Sequence, residues 1–255
     1  MVMLFNKILR VLARNNSCVL ATIVSSKGSS PRKIGAKMII YKDASIEGTI
    51  GGGRLEKTVI ADALDALKRG KSILKTYPLG GKSGIQVCGG EASIFIEVLE
   101  SDKKIVIAGA GHIGLALSFI SKLLGFETVV LDNRREFTSP ARFPHVDKII
   151  CAPYKEGFKK TQIDKNTFIV IVTHGHVFDQ ESLEAALKTK AGYIGMIGSD
   201  AKIKLVFNAL MKKGFKKDKL AIIHTPVGLD IGAETPEEIA VAIAAEIIQV
   251  NRKND

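Results

Sequence analysis

An α/β protein in two parts is what this sequence predicts, and three observations carry the prediction. A short apolar strand, Ile105-Val106-Ile107-Ala108, runs into Gly109-Ala110-Gly111-His112-Ile113-Gly114, and an apolar-periodic helix follows at once. Beyond a polar hinge at Glu100-Ser101-Asp102-Lys103, strand and helix patterns alternate along the chain. Before that hinge, strands meet at glycine-rich corners with little helix between them. Together these features give a Rossmann-like, doubly wound parallel sheet over residues 102–255, preceded by a smaller α+β domain over residues 1–101.

In the first part, Leu4 to Ala13 carries apolar residues at helical spacing, interrupted by Asn6, Lys7 and Arg10. It reads as an amphipathic helix rather than a signal peptide, because no small-residue cleavage site accompanies it. Alternation or β-branched content predicts strands at Val19–Val24, Lys37–Tyr41, Ser72–Thr76 and Ala92–Leu99. A helix is expected from about Arg54 to Arg69, with Gly70 as its C′ residue. In the second part strands are expected at 105–108, 128–131, 148–151, 168–172, 193–197 and 221–224. Helices are expected at about 113–124, 180–188, 200–213 and 236–249. The last opens on Thr235-Pro236-Glu237-Glu238, a capping box with proline in the first helical position. The nearly continuous apolar run Phe168 to Val172 suits a strand covered on both faces.

Composition narrows the class. A chain of 255 residues with 46% hydrophobic and 25% charged residues is a soluble globular protein, and no apolar run reaches the roughly 20 residues of a membrane span. Three widely spaced cysteines, Cys18, Cys88 and Cys151, give neither a disulfide framework nor a zinc pattern, so the cytoplasm is expected and no metal site is assigned. Cys18 and Cys151 sit in apolar strand contexts and read as core. The net charge is +11, and residues 1–101 hold 15 Lys and Arg against 8 Asp and Glu. That excess suits an anionic ligand. Aromatic residues make up only 6%, without basic-aromatic interleaving, which argues against nucleic acid.

The glycine triplet 109, 111 and 114 matches a dinucleotide-binding βαβ opening. Gly109 would make the tight turn, Gly111 would admit a pyrophosphate, and Gly114 would let helix pack on strand. His112 sits inside the motif, and Asp132 ends the next strand, where it would favour an unphosphorylated ribose. Arg134 and Arg135 beside it could take a 2′-phosphate, so the choice between NAD and NADP stays open. In the first part, Gly51-Gly52-Gly53 precedes a helix and would offer N–H groups to a phosphate or oxyanion, or simply form a tight loop. Glu56 in that helix's first turn is a candidate catalytic acid or a favourable charge at the positive dipole end. Ser30 and Arg32, in Ser29-Ser30-Pro31-Arg32, could hold a phosphate or carboxylate. Cys88, beside Gly89-Gly90, is either a reactive thiol suited to sulfur transfer or an inert buried one. His174-Gly175-His176, and Gly198-Ser199 after a later strand, fall at carboxyl ends of parallel strands, where such sheets bind ligands.

These segments, taken in order, resemble the XdhC/CoxI family of accessory proteins for molybdenum-cofactor-containing hydroxylases. The resemblance is carried by Gly28 to Arg32, Gly48 to Glu56, Cys88 to Gly90, Gly109 to Gly114, Arg142-Phe143-Pro144, Gly195 to Ser199, Pro226 to Gly232 and Thr235 to Ala240. Three positions depart from it: Asn133, Gly175 and Asp200. The resemblance implies a maturation factor that binds the molybdenum cofactor, as molybdopterin or its nucleotide form, and assists its sulfuration. It implies delivery to an apo molybdenum hydroxylase of the xanthine dehydrogenase type, with a cysteine desulfurase as sulfur source and a homodimer as a plausible carrier form. Such a protein is more a cofactor-binding chaperone than a turnover enzyme. Under it, Gly51 to Gly53 and Arg32 would hold the pterin phosphate, and Cys88 would lie near the metal or incoming sulfide. The competing reading is an NAD(P)-dependent oxidoreductase with His112 or His174 as proton carrier.

Overall fold

A computed structural model describes residues 2–13, 16–28, 32–79 and 90–253. The chain divides into two compact units, one ending at Ser101 and the other beginning at Asp102. The first unit runs α1 (Val2–Leu12), β1 (Cys18–Lys27), β2 (Lys37–Ile40), β3 (Ile46–Gly48), α2 (Gly53–Arg69), β4 (Ile73–Leu79) and β5 (Gly90–Leu99). Its strands form one antiparallel sheet in the order β3-β2-β1-β5-β4. Alternation along β1 sends Val19, Ala21 and Ile23 to a core shared with Val59, Ala63 and Leu67 of α2. Cys18 and Leu20 face the other way, onto Ile8 of α1. Each face of the sheet therefore has its own helix. β4 continues through Pro78 beyond its expected end, which an edge strand tolerates.

The second unit runs β6 (Lys104–Ala108), α3 (His112–Leu123), β7 (Glu127–Asp132), β8 (Lys148–Cys151), α4 (Tyr154–Lys159), β9 (Thr167–Ile171), α5 (His176–Ala186), β10 (Tyr193–Met196), α6 (Asp200–Lys212), α7 (Lys217–Ala221) and α8 (Pro236–Lys253). Its sheet is parallel, in the order β10-β9-β6-β7-β8, so the winding reverses between β6 and β9. Val106, Val129, Ile169 and Ile194 pack against α4 to α7 on one face. Ile105, Ile107, Val130 and Val170 pack against Leu117 of α3 and Ile243 of α8 on the other. The doubly wound reading of the sequence holds, and the expected capping box forms. Glu238 N–H donates to Thr235 Oγ1 at 3.2 Å, while Thr235 N–H donates back to Glu238 Oε2 at 3.0 Å.

Three expectations are corrected. The strand expected at 221–224 is absent: Ala221 ends α7, Ile222 is exposed, and His224 makes only an isolated parallel bridge to Gly195. A three-residue apolar run carries no period, so strand and helix end look alike there. Cys151 is exposed rather than core, because β8 is an edge strand and only Ile150 of its last residues is buried. The helix expected at 180–188 begins earlier, at His176, because Gly175 takes a positive φ of 85° as its N-cap.

The glycine triplet separates cleanly. A Cβ on Gly114 would stand 1.9 Å from the Gly109 carbonyl oxygen, and one on Gly109 would stand 2.3 Å from that of Val172. Gly111 has an ordinary φ of −70° and nothing within 4 Å of an added Cβ. The fold needs the first and third glycines but not the second. Gly114→Ala is expected to lower unfolding stability by about 1–3 kcal/mol, whereas Gly111→Ala leaves it within about 0.5 kcal/mol. Urea denaturation of both variants checks the contrast, which equal losses would refute.

Candidate functional site

Register places three glycine-rich connections at one end of the first sheet. β1 ends opposite the start of β5, with Lys27 paired to Glu91, and β4 ends opposite it at Leu79 and Gly90. β2 starts and β3 ends at the same end, with Met38 opposite Gly48. Gly28 and Gly90 approach so closely that a Cβ on Gly28 would lie 2.8 Å from Gly90 Cα. Lys27, Gly28, Thr76, Pro78, Gly90 and Glu91 line a cleft of about 440 Å³ there. The exposed cations Arg32, Lys33 and Arg54 belong to the same connections. Ser30 and Cys88 lie outside the described residues, as does Gly89.

The Gly51 to Gly53 loop differs from its expected form. All three glycines take positive φ, of 130°, 77° and 64°. The N–H groups of Ile50 and Gly52 donate to Glu56 Oε1 at 2.9 and 2.8 Å, and Thr49 Oγ1 donates to the same oxygen at 2.6 Å. Gly51 N–H donates to Thr49 Oγ1 at 3.1 Å. The amides of Gly51 and Gly52, expected to cradle a phosphate, are thus turned onto the protein's own oxygens. Burial opposes ionisation of Glu56, but these hydrogen bonds outweigh it and hold its carboxyl below the usual glutamate range. Glu56 fastens the loop to α2, as the acid of a capping box does. The first turn of α2 keeps its outward face, since Gly52 supplies no side-chain cap and nothing lies within 4 Å of a Cβ on Gly52 or Gly53.

In the second unit, the candidate residues gather at the carboxyl edge of the parallel sheet. Gly109, Gly111 and His112 follow β6, Asp132 and Arg134 follow β7, His174 follows β9, and Gly198 and Ser199 follow β10. His112, His174 and Ser199 are exposed, and the N-caps Gly111 and Ser199 make no side-chain cap hydrogen bond. Asp132 is fully buried and fully used. Its Oδ2 accepts from Ala110 N–H at 2.7 Å and Arg134 Nη2 at 2.9 Å, and its Oδ1 from Arg134 N–H and Nε at 3.0 Å each. Burial would raise its carboxyl, but Arg134 and the Ala110 amide outweigh burial and hold it low. Neither residue is presented for a ribose in the way the sequence suggested.

Two buried acids hold the rim of the second unit together. Buried Asp179 ties β9 to α6, accepting from Thr173 Oγ1 and pairing with Lys202. Glu246 on α8 accepts from Tyr193 Oη at 3.2 Å and Gly228 N–H at 2.5 Å and pairs with His224, fixing the rim loop over 224–228. Glu246 escaped the sequence reading, because an acid on an amphipathic helix looks solvent-facing in sequence and no local signal marks it. Among the described residues no group of three or more His, Cys, Asp and Glu side chains converges as a metal site. No helix described is long and apolar enough to cross a membrane.

Glu56→Ala is expected to cost about 1 kcal/mol, since water replaces part of what the carboxylate gives a half-buried loop. Because the folded carboxyl is held low, its contribution is present above the unfolded value near 4.3 and is lost as pH falls through the folded one. The difference between wild type and variant in urea midpoint should be full at neutral pH and close below about pH 4; a pH-independent difference would contradict it.

Comparison with known proteins places this architecture. The XdhC Rossmann domain family matches residues 105–247, and the XdhC and CoxI family matches residues 11–78. The chain is 35% identical over 251 residues to the uncharacterized protein YqeB of Escherichia coli K12, covering 97% of this chain and 46% of that protein. It is 30% identical over 161 residues to a Bacillus subtilis protein named as a probable xanthine dehydrogenase subunit, covering 63% of this chain and 47% of that one. The chain thus spans about half the length of these two relatives. It is 23% identical to the molybdenum cofactor insertion chaperone PaoD of E. coli K12, over 94% of this chain and 85% of that protein. A crystal structure described as a xanthine dehydrogenase from Bacillus halodurans shares the fold, with TM-score 0.55, 24% identity, and 98% and 96% coverage. The chain belongs to the XdhC/CoxI family.

Proposed function

We propose that this protein is an accessory factor that binds molybdenum cofactor as cargo and helps load it into a molybdenum hydroxylase of the xanthine dehydrogenase type. The observation that carries this reading is the gathering of three glycine-rich connections at one end of the first sheet. That end offers what a phosphorylated heterocycle needs. The outward first turn of α2 has open space over Gly52 and Gly53, and Arg32, Lys33 and Arg54 belong to the same connections. A helix start with cations beside it favours a phosphate. In this reading Glu56 acts by holding the loop rather than by moving a proton. Ser30 and Arg32 are assigned to the phosphate, and Cys88, in the connection that ends at Gly90, is assigned to attack the outer sulfur of a cysteine desulfurase's persulfide, so that the new S–S bond forms on Cys88 and the desulfurase cysteine leaves as its thiolate. PaoD, named as an insertion chaperone, supports the accessory role.

The second unit is proposed to hold a nucleotide at Gly109, Gly111, His112 and Gly114. The support is Gly111, whose glycine the fold does not require, in a position where a side chain would obstruct a pyrophosphate. His174, Gly198 and Ser199 complete the same edge. The protein is proposed to work in the cytoplasm, with an apo-hydroxylase as partner.

Protein purified from a molybdopterin-competent host is expected to release a pterin in about equimolar amount on denaturation, read by mass spectrometry of the released small molecules. Cys88→Ser should still carry the pterin but deliver less of the sulfurated form. Release of no pterin from the wild type would overturn the proposal.

A further inference from the structure

At the end of β7 the structure leaves several buried polar atoms without partners. Asn133 Oδ1 and Arg142 Nε and Nη2 are all out of solvent contact and lack a hydrogen bond. Arg142 and Arg134 lie around one aromatic ring: their guanidinium carbons stand 5.5 and 3.8 Å from the Phe137 centroid. Arg134 has its carboxylate in Asp132. The Nε and Nη2 of Arg142 have none. Leaving a buried donor unsatisfied costs about 1–3 kcal/mol, and more when it is charged. Native folds carry such groups where an ion, a water or a ligand completes them.

Position gives these atoms a meaning. The segment 133–147 follows the second strand of the βαβ unit, on the side where a fold of this kind meets the ribose of a bound nucleotide. An unphosphorylated ribose is met there by a carboxylate that accepts its 2′-hydroxyl. Here Asp132 has four donors on its two oxygens and no exposure, so it offers a sugar hydroxyl nothing. A guanidinium lacking a counter-ion has the opposite preference, for a phosphate held by two parallel N–H bonds.

We propose that the second unit selects a nucleotide whose adenosine ribose carries a 2′-phosphate, with Arg142 as the group that binds the phosphate and Asn133 Oδ1 as acceptor for the neighbouring sugar hydroxyl. The proposal rests on the nucleotide reading of this unit given above, and it assigns the phosphate to Arg142 in place of Arg134, which Asp132 immobilises. Because Nε and Nη2 are shielded, the anion reaches them through local rearrangement of the loop over 138–147.

Isothermal titration of the full chain with adenosine 2′,5′-bisphosphate and with AMP tests this. The bisphosphate is expected to bind about tenfold to a hundredfold more tightly. Arg142→Gln should bring the ratio to within about twofold, and Arg142→Lys should restore only part of it, since a point charge lacks the fork. Thermal melting of each variant reports whether the fold is kept. If Arg142→Gln fails to fold, the wild-type ratio and the lysine variant still decide. Equal affinity for the two ligands in wild type, or a preference that survives in Arg142→Gln, would overturn the Arg142 assignment alone. Binding of neither ligand would overturn it together with the nucleotide reading.

Discussion

In each half of the chain a carboxylate placed behind a glycine loop takes up that loop's N–H groups and fixes its path. Glu56 does this for Ile50 and Gly52, and Asp132 does it for Ala110. The arrangement matters because glycine runs are entropically expensive to order. Fixing one residue's backbone costs about 1–2 kcal/mol, and glycine loses the most freedom of any residue. Three successive glycines at positive φ would wander without an internal tether. With one, the loop holds its shape before a ligand arrives, so less ordering is left to be done on binding.

The same device serves two unrelated sheets. In the antiparallel unit, strand direction sets the ends of β1, β3 and β4 and the starts of β2 and β5 at the same end of the sheet, with the start of β2 paired to Thr22, before β1 runs on to Lys27 beside Glu91. In the parallel unit, every strand points its carboxyl end the same way, and the winding reverses between β6 and β9, beside the glycine triplet. Neither rim needs a deep cavity. Both present helix starts whose outward faces lack side-chain caps.

What could be read from the sequence was local. Gly70 closes α2 with a left-handed φ of 67°, Thr235 and Glu238 cap each other, and the triplet at 109–114 sits between strand and helix as expected. Each of these is a matter of residues within a few positions of one another. What could not be read depends on partners far along the chain or on neighbours in a sheet. Cys151 looks like core until β8 is known to be an edge. Residues 221–224 look like a strand until α7 is seen to run through Ala221 with its Leu220 buried in the core. Asp132 looks like a ribose acceptor until Arg134 folds back onto it, and Glu56 looks catalytic until the loop before it turns its amides inward. The pairing of acid with backbone is a tertiary fact, and composition or spacing gives no hint of it.

Native-state hydrogen exchange is the measurement closest to the central claim, because it reads the tethered amides one by one. Ile50, Gly52 and Ala110 lie outside regular hydrogen-bonded structure, yet the account predicts that their N–H groups exchange slowly, near the rates of the adjoining strands and helices. Glu56→Gln should speed exchange at Ile50 and Gly52 and leave Ala110 unchanged, and Asp132→Asn should speed it at Ala110 and at Arg134, whose N–H it also takes, and leave Ile50 and Gly52 unchanged. Exchange at these three amides as fast as in an open loop, in the wild-type protein, would contradict it.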